Sequence, residues 1–258
     1  IEMHLEARRA LVLNLAAEPG ETAGFSAERH VHVLSQHAPG LTVHDIIVDA
    51  ASVPSERDRD QLRRAASFLE AQVEFADVSR PGTPLHDPAK LAAAQYDSAD
   101  NMTDRQGALM VLCGLDTPLR GERLAHFHQR FAGNALVIDK WFSLQAGSLH
   151  PPVLDHVKAL ADHPDFTMTN PNRVRALYMA MAVNPGAFHV ASGEGYRIVA
   201  DLILALDPIN AQTAARFVAP LGRWRRIEEG RSALMRAELE RILSAPGLSK
   251  DTFEQVSK

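Results

Sequence analysis

The sequence predicts a mostly α-helical protein, an α-solenoid preceded by a small, incomplete α/β segment with about three parallel strands. Three observations carry this expectation. Short apolar runs bounded by turn residues recur three times before residue 80 and alternate with helical patterns, the signature of a parallel sheet. From about residue 88 amphipathic helical segments follow one another with no further strand pattern. The breaks between those segments are short and rich in Pro, Gly, Asn and Asp, which favours antiparallel neighbours stacked in pairs. Three strands make a thin sheet, and a complete doubly wound domain needs more.

Taken in order, residues 1–10 read as a short helix, and residues 11–16 (Leu-Val-Leu-Asn-Leu-Ala) as a buried strand before the turn at Pro19-Gly20. Ser26 is placed to cap a helix from Ala27 to about His37, which Pro39-Gly40 ends. His44–Asp49, with Ile46-Ile47-Val48, reads as a second strand. Pro54-Ser55-Glu56 opens a helix that sets Leu62, Ala65, Ala66 and Leu69 on one face. Val73–Val78 reads as a third strand, and residues 80–84 (Arg-Pro-Gly-Thr-Pro) as a loop. Helices are expected over 88–96, 101–115, 118–132, 136–147, 151–162, 171–183, 193–206, 208–219, 222–244 and 249–257. Several begin at or near a proline, where the missing N–H costs nothing. No strict sequence repeat marks the solenoid.

The chain has 258 residues, 46% of them apolar, enough to bury a sizeable core in one large or two modest domains. A net charge of −5 and a pI near 6.2 argue against nucleic acid as a main partner. Arg, Asp, His or Pro interrupts every long apolar stretch, so no membrane span and no secretory signal are expected. The single cysteine, Cys113, rules out an internal disulfide framework and fits a reducing compartment, with a cytoplasmic location as the default.

The histidines do not show metal-ligand spacing. The dipeptide His-Glu occurs nowhere, and the pairs His30/His32 and His126/His128 are two residues apart, so on a helix they face different directions. His32 and His37 are five apart, which is equally unsuited to shared ligation. Structural or surface roles are expected for them, with no metal and no cofactor bound by this chain. Asn170-Pro171-Asn172 sets up a helix start that places Arg173 and Arg175 on different faces. Either arginine suits a peptide carboxylate, or an ion pair with acidic neighbours that holds helices together. Asp139-Lys140-Trp141-Phe142 reads as a packing motif, and Asn101 to Arg105 as a capped helix start with an ion pair. Arg223, Arg225 and Arg226 around Trp224 precede Glu228 and Glu229 and read as a solvated helix face.

A set of short motifs in the later part points to a known family. These are Asn101-Met102-Thr103-Asp104-Arg105, Asp139-Lys140-Trp141-Phe142 with Gln145-Ala146, and the run from Phe166 to Arg175 (Phe-Thr-Met-Thr-Asn-Pro-Asn-Arg-Val-Arg). Asn184-Pro185-Gly186-Ala187-Phe188-His189 and Gly193-Glu194-Gly195-Tyr196 follow in order. Together they resemble the C-terminal domain of the M1-family aminopeptidases of the aminopeptidase N (alanyl aminopeptidase) type, over about residues 95–258. The resemblance implies an armadillo-like helical lid that walls a chamber and restricts peptide access to a separate catalytic domain. In that family zinc is held by His-Glu-x-x-His and a distant Glu of the catalytic domain. The implied partners are such a catalytic domain or a peptide, and Arg173 and Arg175 are the chamber candidates.

Residues 11–92 resemble a different family. Residues 14–25 (Asn-Leu-Ala-Ala-Glu-Pro-Gly-Glu-Thr-Ala-Gly-Phe) with His30, and the run from Arg80 to Asp87, are similar to the C-terminal part of the YvcK-like gluconeogenesis factors. That resemblance implies a phospholactate-transferase-like fold that binds nucleotide sugars. The loop carrying Glu21 and Thr22 follows a strand and leads into the helix that starts at Ser26, where open α/β sheets place ligands. Glu21, Thr22 and Ser26 are therefore the nucleotide-sugar candidates, with a tight turn and a cap as the alternative. The expected division is residues 1–92 and 93–258, and two unrelated resemblances meet near residues 91–94, the pattern of a chimera, a mispredicted gene product or a generated sequence.

Overall fold

The computed structural model describes residues 9–16 and 22–258. The expected helix over residues 1–10 and the turn at Pro19-Gly20 fall largely outside these residues. The chain divides into two compact units, one of residues 1–112 with 117–123 and one of residues 113–116 with 124–258.

In the first unit three parallel strands lie in the order β1 (Ala10–Val12), β2 (Asp45–Asp49), β3 (Gln72–Ala76). The register sets Leu11 opposite Ile46 and Ile46 opposite Val73. Helix α1 (Ala27–His37) connects the first two strands and α2 (Glu56–Ala66) the second two. Because side chains alternate along a strand, β2 serves two cores. Ile46 and Val48 pack with Val31 of α1 and with Leu62, Ala65, Ala66 and Leu69. Ile47 points the other way and meets Val78 and Ala94, the latter on helix α3 (Pro88–Ser98). A central strand buried on both faces reads as a continuous apolar run, which is what Ile46-Ile47-Val48 is. The Asp49 carboxylate closes the end of the sheet by accepting from the amides of Val78 (3.1 Å) and Ser79 (3.2 Å).

Several boundaries differ from expectation here: β2 starts at Asp45 and not at His44, and β3 runs from Gln72 to Ala76 and not from Val73 to Val78. β1 ends at Val12 and not at Ala16, because its pairing with β2 runs for three residues only. The second long helix ends at Ala66 and continues to Leu69 as a 3-10 turn, after which Glu70 adopts positive φ.

Helix α4 (Met102–Cys113) follows α3, and α5 (Pro118–Phe131) contributes residues to both units. Arg105 of α4 is buried, donates to the carbonyl of Ala99 and lies over the Tyr96 ring. The second unit contains α6 (Ala135–Ala146), α7 (Val153–Ala161), α8 (Pro171–Val174), α9 (Ala180–Val183) and α10 (Pro185–Phe188). It continues through α11 (Glu194–Leu206), α12 (Ala211–Leu221), α13 (Glu229–Leu243) and α14 (Lys250–Val256). Successive helices pack on one another: α6 on α7, α11 on α12 and α13, and α12 on α14.

Side-chain caps set most of these starts. Asn134, Asn170, Asn184 and Asn210 each accept a bond from a backbone amide one turn ahead, and Ser249 does the same for α14. Such caps satisfy amides that the helix itself leaves unpaired.

The caps also explain the remaining differences. Residues 207–209 are a turn and α12 begins at Ala211, because the cap is Asn210. The expected helix over 222–244 is two elements. A 3-10 turn, Trp224–Arg226, is followed by extended Ile227, and Glu228 then caps α13 by accepting from the Arg231 amide. The arginines around Trp224 thus sit on a turn, with Arg225 stacked 4.4 Å from the ring centroid, and not on a helix face. The stretch 171–183 is helical throughout but widens to a π-helix over Arg175–Met179.

Glycine is required at two neighbouring positions. Gly193, the N-cap of α11, has φ +73° and sits against Leu234. A Cβ at Gly195 would stand 2.5 Å from the carbonyl oxygens of Ala187 and Phe188, so α11 crosses the α10 backbone at van der Waals contact.

Candidate functional site

The first unit carries a cleft of about 190 Å³ at the C-terminal ends of β1 and β2. Its walls include Leu13, Asn14, Ser26, Glu28, Ser52 and Asp58. This is where parallel sheets of this type hold ligands, because loops and helix N-termini converge there. Glu28 and Asp58 put carboxylates in the wall, and no Lys or Arg lines it among the described residues. Such a lining recognises hydroxyl and amide donors better than phosphate.

Of the three residues read from the sequence for this place, Glu21 lies outside the described residues. Thr22 is half-buried in the turn before α1, and its carbonyl accepts from the Phe25 amide at 2.9 Å. Ser26 stands at the N-cap of α1, but its hydroxyl donates to the Glu28 carboxylate and makes no cap bond to an amide. The expectation that Ser26 caps through its side chain is corrected on this point: the hydroxyl is turned to the Glu28 carboxylate, and its oxygen accepts from no helix amide.

In the second unit a cluster forms around Trp141, which is 7% exposed and donates from Nε1 to the Leu124 carbonyl at 3.0 Å. Arg173 packs its guanidinium 4.8 Å from the centroid of Phe142. Its Nε donates to Asp139 Oδ1 at 2.5 Å, and Nη1 donates to the Asp165 carbonyl. The Arg173 side chain is 7% exposed and that of Asp139 15%. Asp139-Lys140-Trp141-Phe142 therefore supplies both a packing core and the acid of a buried ion pair. Arg175 is exposed and donates to Asn172 Oδ1 at 2.7 Å. The two arginines thus separate as their spacing requires: Arg173 is committed inside the unit, and Arg175 presents its charge to solvent.

The same cluster unites residues that are distant in the sequence. His128 on α5 meets His163 and Asp165 from the turn after α7. His128 Nε2 lies 2.6 Å from Asp165 Oδ2, and His163 Nδ1 lies 4.0 Å from the same oxygen. Both imidazoles pack on the Trp141 ring, with centroids 4.7 Å and 5.1 Å from it. Burial lowers the His163 pKa against the pull of Asp165, and the charges of His128 and Arg173 act in the same direction as burial. No local spacing announces this triad, because His128 and His163 stand 35 positions apart on separate elements. The one local signal is His163-Pro164-Asp165, a turn closed by the Phe166 amide on the His163 carbonyl at 2.8 Å.

Comparison with known proteins matches this chain to two sets of relatives. Over 87 residues, 34% of the chain, it is 79% identical to a protein of Mycobacterium tuberculosis named as a gluconeogenesis factor, and covers 25% of that protein. Over 164 residues, 63% of the chain, it is 46% identical to aminopeptidase N of Caulobacter vibrioides, and covers 19% of it. Among solved structures, aminopeptidase A of Legionella pneumophila in complex with aspartic acid superposes with a TM-score of 0.63 at 31% identity. That superposition covers 78% of this chain and 23% of the other. The chain thus spans between 19% and 25% of the length of these relatives. The sequence pattern of a family described as a domain of unknown function with ARM repeats (DUF3458_C) matches residues 83–258, and the stacked helices of that stretch agree with it. The chain belongs to this ARM-repeat family, in an M1 aminopeptidase-related form.

Proposed function

We propose that the helical part is a non-catalytic lid and access domain of an M1-type zinc aminopeptidase, the family that removes N-terminal residues from peptides. The observation that carries this reading is the 46% identity to aminopeptidase N over 63% of the chain. The zinc of that family finds no matching ligands here. His-Glu occurs nowhere in the sequence, and the His128, His163 and Asp165 group draws on two elements and not on one helical His-Glu-x-x-His. No step of peptide hydrolysis is therefore assigned to residues of this chain. The role is to bound the space that a catalytic domain opens, with Arg175, exposed and cationic, as the residue suited to a peptide carboxylate. The test is hydrolysis of an alanyl anilide by the purified chain with added zinc. No turnover is expected, and turnover abolished by EDTA overturns the proposal.

A second reading concerns the first unit, since the 79% identity to the gluconeogenesis factor is the higher of the two. We infer a nucleotide-sugar-binding module at the cleft that Ser26 lines, with Glu28 and Asp58 meeting the sugar hydroxyls and the phosphates lying away from these two carboxylates. A UDP-sugar-dependent rise in melting temperature supports it, because a ligand that binds only the native state stabilises that state. An unchanged melting temperature at millimolar UDP-sugar overturns it. The two roles are proposed for residues 1–92 and 93–258. Among the described residues no helix is long and apolar enough to cross a membrane.

A further inference from the structure

We propose that His128, His163 and Asp165 form a binding site for a borderline transition-metal ion, of the Zn²⁺, Ni²⁺ or Cu²⁺ class. One ligand atom from each residue lies within 4.8 Å of the other two. An ion bound at about 2.0–2.2 Å from imidazole nitrogen and carboxylate oxygen draws its ligands to within roughly 4 Å of one another. Accommodating it needs side-chain rotations only. The His128 to Asp165 contact of 2.6 Å opens and the longest separation closes. The three side chains are 26%, 29% and 43% exposed, so water can reach the site and complete the coordination.

The surroundings favour such a site. Trp141 holds both imidazole rings on one wall, and its own ring is fixed by the bond to Leu124. The turn that bears His163 and Asp165 is anchored by Arg173, which donates to the Asp165 carbonyl. Asp139 pairs the Arg173 charge, which reduces its repulsion of an incoming cation. Ligands held by such outer contacts bind metal more tightly than freely rotating ones. Two imidazoles and one carboxylate select zinc, nickel and copper over calcium and magnesium, which prefer an all-oxygen shell. Binding must displace the Asp165 amide where it donates to His163 Nδ1 at 3.1 Å, or else use the other ring nitrogen.

Trp141 is the reporter. The chain has two tryptophans, so Trp224→Phe leaves a single indole lying against both imidazoles. Adding Ni²⁺ or Cu²⁺ to the metal-stripped full chain carrying this change is expected to quench its fluorescence saturably, at one ion per chain. Zn²⁺, which does not quench, is expected to compete. His163→Gln and Asp165→Asn in that background are expected to weaken the half-saturating concentration at least tenfold, with the circular dichroism spectrum retained. Replacing His150 and His156, a second histidine pair with Nδ1 and Nε2 3.4 Å apart, is expected to leave the titration unchanged. The proposal is overturned if quenching does not saturate, or if it survives both His163→Gln and Asp165→Asn. It is equally overturned if the His150 and His156 replacement abolishes the quenching.

Discussion

Replacing Arg173 by Met keeps most of the side-chain stem and removes the charge. The change leaves the Asp139 carboxylate, 15% exposed, without its guanidinium, and the Asp165 carbonyl without its donor. Both bonds are charge-assisted, because the guanidinium donor is ionised, and each contributes about 1.5–3 kcal/mol. The stacking on Phe142 adds roughly 0.5–1 kcal/mol. Discounted for non-additivity, the loss should be about 3–5 kcal/mol, the range for breaking a buried pair by removing one partner. For a unit of this size that corresponds to a fall in melting temperature of about 6–20 °C. Denaturant and thermal unfolding of the full chain measure it. The double variant Arg173→Met with Asp139→Leu should recover a large part of the loss, since two apolar groups leave no buried charge unpaired. Arg175→Ala, on the exposed side, should stay within about 0.5 kcal/mol of wild type. The reasoning is refuted if Arg173→Met also stays within that margin, or if the two losses simply add in the double variant.

Three further outcomes follow from particular contacts. Gly195→Ala should cost at least 1–3 kcal/mol by overpacking, because its methyl meets two carbonyl oxygens at 2.5 Å; an unchanged unfolding midpoint contradicts the close crossing. Asn184→Asp should destabilise at least as much as Asn184→Ala, although Asp is as good a cap. The Asn184 Nδ2 donates to the carbonyls of Ala146 and Ser148, and a carboxylate facing those oxygens is repelled. Asp207 links stability to pH. Burial raises its pKa, but bonds from the Ser249 and Thr252 hydroxyls and the Ser249 amide outweigh burial and hold it below the ordinary value. Its contribution is therefore complete above the unfolded pKa of about 3.9 and is lost as pH falls through the lower folded value. The stability gap between wild type and Asp207→Ala should narrow between pH 5 and pH 2 in acid titrations of unfolding, and a gap independent of pH rules the mechanism out.

The elements most legible in the sequence were those with a local physical marker. Asn170-Pro171 and Asn184-Pro185 each declare a helix start by a cap and a residue that needs no donor. The helix that follows the second, α10, is absent from the expected helices, because four residues carry too little periodicity to register. Ile46-Ile47-Val48 announced a strand buried on both faces. What escaped was decided by groups distant in sequence or by competition between neighbours. Gly222 and the Glu228 cap split a stretch whose Arg, Ala, Leu and Glu content favours one long helix. The π-helical turn over Arg175–Met179 carries no composition signal of its own. At the site, Arg173 was legible as a charged residue at a helix start, but its partner Asp139 was not. The His128, His163 and Asp165 group exists only because α5 and the turn after α7 converge on Trp141.

The asparagine caps also bear on how the protein ages. An asparagine side chain deamidates when the next backbone nitrogen attacks its carbonyl and closes a ring. Proline at that position has no N–H with which to form the cyclic imide. Asn170 and Asn184 are each followed by proline, so this route is closed at both. Asn134 and Asn210 are followed by alanine and remain open to it. They cap through the side-chain oxygen, which the aspartate product with an unaltered backbone also supplies, now carrying the charge that a helix start favours. Conversion would do most harm at Asn184, where the amide nitrogen holds two carbonyls, and there the following proline prevents it. Slow chemical conversion is thus blocked at the cap whose amide nitrogen the fold also uses.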